Sequence, residues 1–284
     1  MATFSNQATL SYNNIVTNSN VTTGQLLAAV TATKTAVGDV YDIDGSVTYV
    51  VSIVNTGDRD LNAVTITDDL GGGNGENAPL SYIENSLRYY SNGVLQDTPD
   101  VTAGSSLVIQ NVDIPAGGNG MLIYSASVTA FASPEAGGTI TNTVTGQNDP
   151  QGESSLFLAE ATVTVTEEPA LTITKTMSPD TLTGNSELTY TFIIQNSGNR
   201  DAEVGDNVMI SDTFDPVLRN ITVTVDGETQ TAGTDYTYNA DSGEFATAAG
   251  AISVAAAVFS RDPETDIWTT TPGVTVMTVT GTVF

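Results

Sequence analysis

Cysteine and histidine are both absent from this chain of 284 residues. Their absence excludes disulfides, thiol nucleophiles, the commonest zinc ligands and imidazole bases. Most familiar catalytic constellations go with them, so the chain reads as a non-enzyme. Positive charge is nearly as scarce: seven Lys and Arg face thirty-three Asp and Glu, for a formal charge of −26. A surface that acidic sets aside nucleic acid and anionic membranes as partners. No apolar run reaches the roughly eighteen residues that a membrane insertion needs. The opening residues, Met1 to Asn6, show neither the basic nor the apolar region of a secretory signal, so the chain is either a processed form or exported by a route that is not legible.

What remains is 39% hydrophobic and rich in Thr, Val, Gly and Asn, with only 14% charged residues. That mixture favours pleated strands and tight turns over helices, and predicts an all-β protein. Comparison of the chain with itself shows a repeat. Val30-Thr-Ala-Thr-Lys34-Thr returns as Leu171-Thr-Ile-Thr-Lys175-Thr. The pattern Tyr49-x-x-x-Ile53-x-Asn55-x-Gly57-x-Arg59 returns as Tyr190-x-x-x-Ile194-x-Asn196-x-Gly198-x-Arg200, and Val64-x-Ile66-x-Asp68-x-Leu70 as Val208-x-Ile210-x-Asp212-x-Phe214. Short alternating strands between Asn-Gly and Asp-Gly turns predict two tandem immunoglobulin-like β-sandwich modules. The expected boundaries are an N-terminal donor-strand arm and linker at 1–24, module one at 25–166, and module two at 167–284. The alanine-rich stretch Ala246 to Val258 fits a short helix or a strand.

These repeated words, Thr-Lys-Thr, Tyr-x-x-x-Ile-x-Asn-x-Gly and Thr/Ser-Asp, resemble the prokaryotic cell-surface repeat family called domain of unknown function eleven. They are similar also to fimbrial domains that form internal isopeptide bonds. The resemblance covers nearly all of both modules and implies an extracellular stalk, fibre or adhesin.

Module one ends on Thr139-Ile140-Thr-Asn142-Thr-Val144-Thr-Gly146, a terminal strand with an asparagine. Module two has no counterpart: its final segment, from Gly273, aligns with the penultimate strand of module one, from Gly120. A matching pattern stands at the other end of the chain, where Phe4, Asn6, Ala8 and Leu10 repeat Ile140, Asn142 and Val144. Module two therefore presents an apolar groove and an open sheet edge, which natural proteins seldom leave uncovered. The filler is the arm of the same molecule, the arm of a neighbour, or a foreign strand. Residues 11–24 read as a polar linker with a reach of about 45 Å, less than the expected separation of arm and groove in two sandwiches placed end to end. Donation to an identical subunit is favoured, and a head-to-tail contact propagates into a homopolymer.

Strand alternation puts both lysines of the chain, Lys34 and Lys175, on the faces that carry the apolar residues. The same parity turns Asp68 and Asp212 inward, and sets Asn142 with Ile140 and Val144, and Asn6 with Phe4, Ala8 and Leu10. An isolated buried charge is costly, so each lysine is expected to meet its aspartate. The resemblance implies more: an amide cross-link of Lys34 to Asn142, with Asp68 as proton shuttle, and of Lys175 to Asn6 of another subunit, with Asp212 as shuttle. The simpler readings are a buried Lys/Asp ion pair beside a structural asparagine, or lysines that escape to solvent at a strand end. No metal or cofactor is expected; Asp39, Asp42 and Asp44 lack the order of a calcium loop and read as turn residues. The alternative function is a monomeric adhesin or carbohydrate-binding stalk, with Tyr89, Tyr90, Tyr236 and Tyr238 as contacts. A carboxylate-pair glycosidase has little support, since no two acids stand out and Trp268 is the one tryptophan.

Overall fold

The computed structural model describes residues 2–26, 29–72, 77–148 and 155–283, with backbone alone for 2–4 and 25–26. Two compact units divide the chain. The first takes Met1–Asp39, Asp44–Thr129 and Ile140–Val163; the second takes Val40–Ile43, Ala130–Thr139 and Thr164–Phe284.

At the N-terminus, β1 (Ala2–Asn6), β2 (Thr9–Tyr12), β3 (Ile15–Asn18) and β4 (Thr22–Leu26) form one folded-back ribbon. β2 pairs antiparallel with β3, and β1 with β4. The turn at its tip holds Asn13 and Asn14 at φ 44° and 60°, the left-handed pair that a two-residue hairpin demands and that asparagine tolerates best. Residues 11–24 are thus not the extended linker expected from their polarity. Alternation in Ile15 to Asn18 is short, but pairing with β2 satisfies its backbone and makes it a strand. Every residue from Ser5 to Thr23 is exposed.

The first sandwich follows with β5 (Val30–Ala36), β6 (Val40–Tyr41), β7 (Ser46–Asn55), β8 (Leu61–Asp68), β9 (Leu80–Tyr82) and β10 (Arg88–Ser91). It continues with β11 (Val94–Leu95), β12 (Asp100–Ala103), β13 (Leu107–Ile114), β14 (Asn119–Val128), β15 (Thr139–Gln147) and β16 (Phe157–Val165). One sheet runs β11-β10-β14-β7-β5, with β9 beside β14; the other runs β12-β13-β8-β15-β16, and β6 pairs with Thr164 and Val165 at the end of β16, all of them residues of the second unit. The fold is an all-β immunoglobulin-like sandwich. Alternation fills its core: β7 turns Val47, Tyr49, Val51 and Ile53 inward, and β14 turns Leu122, Tyr124 and Ala126 to meet the buried side chains of β8, β13 and β15.

The second unit holds β17 (Leu171–Ser178), β18 (Glu187–Asn196), β19 (Ser211–Thr213), β20 (Arg219–Val225) and β21 (Glu228–Thr229). It is completed by β22 (Tyr236–Tyr238), β23 (Glu244–Thr247), β24 (Val258–Arg261), β25 (Trp268–Thr271) and β26 (Gly273–Thr282). Its main sheet, β17-β18-β26-β20-β21, repeats the order of the first sandwich, with β26 in the place of β14. Its other sheet is only β19-β23-β22. β8, the counterpart of β19, lies between β13 and β15; β19 bonds to β23 alone, so its far edge is unpaired among the described residues. Between Ala246 and Val258 the chain finishes β23 and then runs irregularly, bridged to Ala202 at Val254, so neither a helix nor a full strand forms.

Register corrects one alignment made on sequence. Gly273 stands opposite Asn196, whereas Asn55 bonds through its backbone N–H to the carbonyl of Gly118. Gly273 therefore matches Gly118 and not Gly120, a slip of two residues that leaves the faces unchanged and so escaped notice. The shared Asn-x-Gly-x-Arg word is structural: buried Asn55 donates to the Arg59 carbonyl and accepts from Gly57 N–H, and Asn196 does the same with Arg200 and Gly198.

Candidate cross-link sites

In the first unit β5 brings Lys34 into the core directly opposite the end of β8. Its side chain is 0% exposed and that of Asp68 1%, and Lys34 Nζ donates to Asp68 Oδ2 at 2.5 Å. Asp68 also accepts from the Tyr124 hydroxyl and, through Oδ1, from Leu70 N–H at 3.0 Å. The Tyr49 ring lies 4.7 Å from Lys34 Nζ and 5.8 Å from the Tyr124 ring. Burial pushes the Lys34 pKa down, opposed by the Asp68 charge. It pushes those of Tyr49 and Tyr124 up, so both phenols stay protonated.

Asn142, on β15, is 0% exposed in the same cluster. It lies close enough to Tyr49 and Tyr124 to lower both phenol pKa values slightly against the burial effect. Yet neither its amide nitrogen nor its oxygen makes a hydrogen bond of ordinary geometry, and the Tyr49 hydroxyl has none either. Strand β15 is held beside this site by Asp69, whose Oδ1 accepts from Thr143 N–H at 2.9 Å. The structure thus gathers Lys34, Asp68 and Asn142 around one pair of tyrosines. Sequence reading missed the tyrosines; Tyr49 stood in the repeat opposite Tyr190, and inward parity on β7 was the available signal.

The second unit repeats half of this arrangement. Lys175 Nζ donates to Asp212 and sits 4.3 Å from the Tyr190 ring centre, with Phe214 at 5.4 Å. Tyr190 and Phe214 stack at 4.9 Å. Val279 faces Tyr190 where Tyr124 faces Tyr49, so the second carboxylate has no phenol from that position. The expected burial of Lys175 does not hold: its side chain is 38% exposed, and every residue of β17 is exposed. Lys175 reaches Asp212, but among the described residues no strand covers the pair as β15 covers Lys34 and Asp68. Val30 and Lys34 on β5 are buried where β15 is present, while Leu171, Ile173 and Met177 stand in the open. Asn6, Ala8 and Leu10 are likewise exposed; the Phe4 side chain lies outside the described residues.

The other candidates do not form a site. Tyr89 and Tyr236 are buried and the Tyr238 hydroxyl is engaged by both backbone groups of Leu218, so these three pack against the protein, while Tyr90 is half-buried on β10. Asp39, Asp42 and Asp44 are exposed, and among the described residues no three carboxylates gather.

No family model matches the chain, and no curated protein does. Among solved structures it is similar to BcpA, the major pilin subunit of Bacillus cereus, at 12% identity and TM-score 0.36, over 87% of this chain and 66% of that one. A collagen-binding domain from a Staphylococcus aureus adhesin matches at 14% identity and TM-score 0.29, over 50% of this chain and 99% of that one. The collagen-binding subdomain of the Enterococcus faecalis surface protein ACE matches at 10% identity and TM-score 0.30, over 47% and 95%. Likeness at this level carries nothing about function.

Proposed function

We propose that this chain is the structural subunit of an extracellular, pilus-like fibre. Its N-terminal arm enters the open side of the second unit of the next subunit, and lysine–asparagine amide bonds reinforce the result. The observation that carries the reading is the contrast between the two lysine sites: one covered by β15 with its asparagine, the other uncovered while an exposed arm holds the same pattern around Asn6.

In the first unit, the free amine of Lys34 attacks Cγ of Asn142. Asp68 takes a proton from Nζ and returns one to Nδ2, which leaves as ammonia, so one C–N bond forms as another breaks. Tyr124 donates to Asp68 and helps hold it in line. Burial lowers the pKa of Lys34, which favours the unprotonated amine that the attack requires, and Asp68 takes up the proton it gives up. Between subunits, Lys175, Asp212 and Asn6 of the neighbour take the same roles, with Tyr190 and Phe214 walling the amine.

Fibres boiled in denaturant are expected to run as a ladder of multimers. Asn6→Ala should remove the ladder, and deletion of residues 1–12 should leave monomers in electron micrographs. Fibres formed by the deleted protein would overturn the reading.

A further inference from the structure

Resting on that head-to-tail reading, we propose that the element passed to the next copy is the entire two-stranded ribbon, β1–β2 together with β3–β4, and not a single strand. The template lies in the first unit. There the lysine site is closed by a hairpin, since β15 is bonded to β16, and β16 buries Phe157, Ala159 and Val163. The short sheet of the second unit has a counterpart for neither strand among its described residues. What covers it must supply two.

The arm is already built that way. Besides its ladders, the break between its halves is laced by Ser19, which donates its N–H to the Ala8 carbonyl at 2.8 Å and accepts from Ala8 N–H through Oγ at 2.9 Å. A lone strand would have to abandon these bonds to enter, and would then end the sheet on a fresh unpaired edge. The ribbon has a face for each environment. Leu10, Tyr12 and, across the turn, Ile15 share one face, all more than half exposed. Thr9, Ser11 and Asn18 share the other, where Val16 is the one apolar residue. In the first unit Gly146 lies beneath the Phe157 ring, with no room for a Cβ; the arm residue that aligns with Gly146 is Leu10, paired with Thr17 within the ribbon. A second copy is thus the fitting occupant, with Leu171, Ile173 and Met177 around Lys175 as the surface it covers.

The absence of cysteine allows a clean test. Thr9 and Asn18 are register partners whose side chains touch at 3.0 Å on the polar face. In the double variant Thr9→Cys/Asn18→Cys, a disulfide locks the ribbon closed. Purified protein, oxidised or reduced, is followed by light scattering and negative-stain microscopy. Equal assembly of both forms is expected. Assembly of the reduced form alone would show that the strands must part, overturning ribbon donation while sparing head-to-tail donation. Should the double variant fail in both forms, hydrogen exchange of wild-type fibres decides: protection of residues 15–18 and 22–26 supports the ribbon, and free exchange there overturns it. Wild-type protein that never assembles without a foreign partner would remove the underlying reading and this inference with it.

Discussion

At the scale of single residues, the informative side chain is Asn142. A carboxamide sealed in a core with its hydrogen-bonding capacity unused costs on the order of 1–3 kcal/mol, and cores rarely keep such a group without a reason. Converting it to a secondary amide with Lys34 removes both the orphan amide and the buried amine. The intact mass is therefore expected to fall short of the sequence mass by one ammonia, whereas Asn142→Ala should show only its own residue difference. That variant opens a loop joining β5 to β15, and by analogy with a disulfide of similar span should lose up to about 4 to 5 kcal/mol in urea denaturation. The acid–base behaviour has a sign. Without the bond, the folded state holds the Lys34 proton less tightly than the unfolded chain does, because burial lowers its pKa. Folding then releases a proton, and stability rises with pH above the lowered pKa toward the ordinary lysine value. Below about pH 9, where the phenols do not yet titrate, Asn142→Ala should gain stability with pH relative to the cross-linked wild type, in which Lys34 no longer titrates. Parallel pH profiles for the two proteins would reject the bond.

At the scale of elements, the fit of β15 to β16 is tightest at Gly146, where an added Cβ would meet the Phe157 ring at 2.2 Å. Gly146→Ala is expected to cost about 1–3 kcal/mol through displacement of that ring, measured by chemical denaturation of the Asn142→Ala background so that the cross-link does not mask it. The strands that place both sites were legible because period-2 alternation and a repeated sequence fix which face each residue takes, whatever the partner. Lys34 and Asp68 pair in the core, and Asn142 is buried beside the same tyrosines. Three things were not legible, each for a physical reason. Exposure of Lys175 follows from β19 having one strand neighbour among the described residues where β8 has two, which parity does not encode. The return strand β3–β4 is too polar to announce itself and exists through its ladder with β1–β2. The two-residue slip at Gly273 was invisible because it preserves face, and only the pairing of β26 with β18 fixes the register.

At the scale of the whole molecule, each copy of the chain carries a formal charge of −26, so the proposed head-to-tail contact must form against mutual repulsion. The surfaces proposed to meet are the exception to that charge: the ribbon from Ser5 to Gly24 has no ionisable side chain except Tyr12, and β17 carries Lys175 alone. Contact is thus favoured locally by apolar burial and opposed at distance by the field of the remaining surface. Salt acts on the second term and hardly on the first, since the screening length falls from about 30 Å at 0.01 M to about 8 Å at 0.15 M. Assembly from purified monomers, followed by light scattering, is expected to accelerate over that range and then level off, while the boiled ladder, once formed, stays unchanged on return to low salt. Fibres that form faster at low salt would mean that charge attraction drives the contact. That outcome would move the interface away from the ribbon and β17.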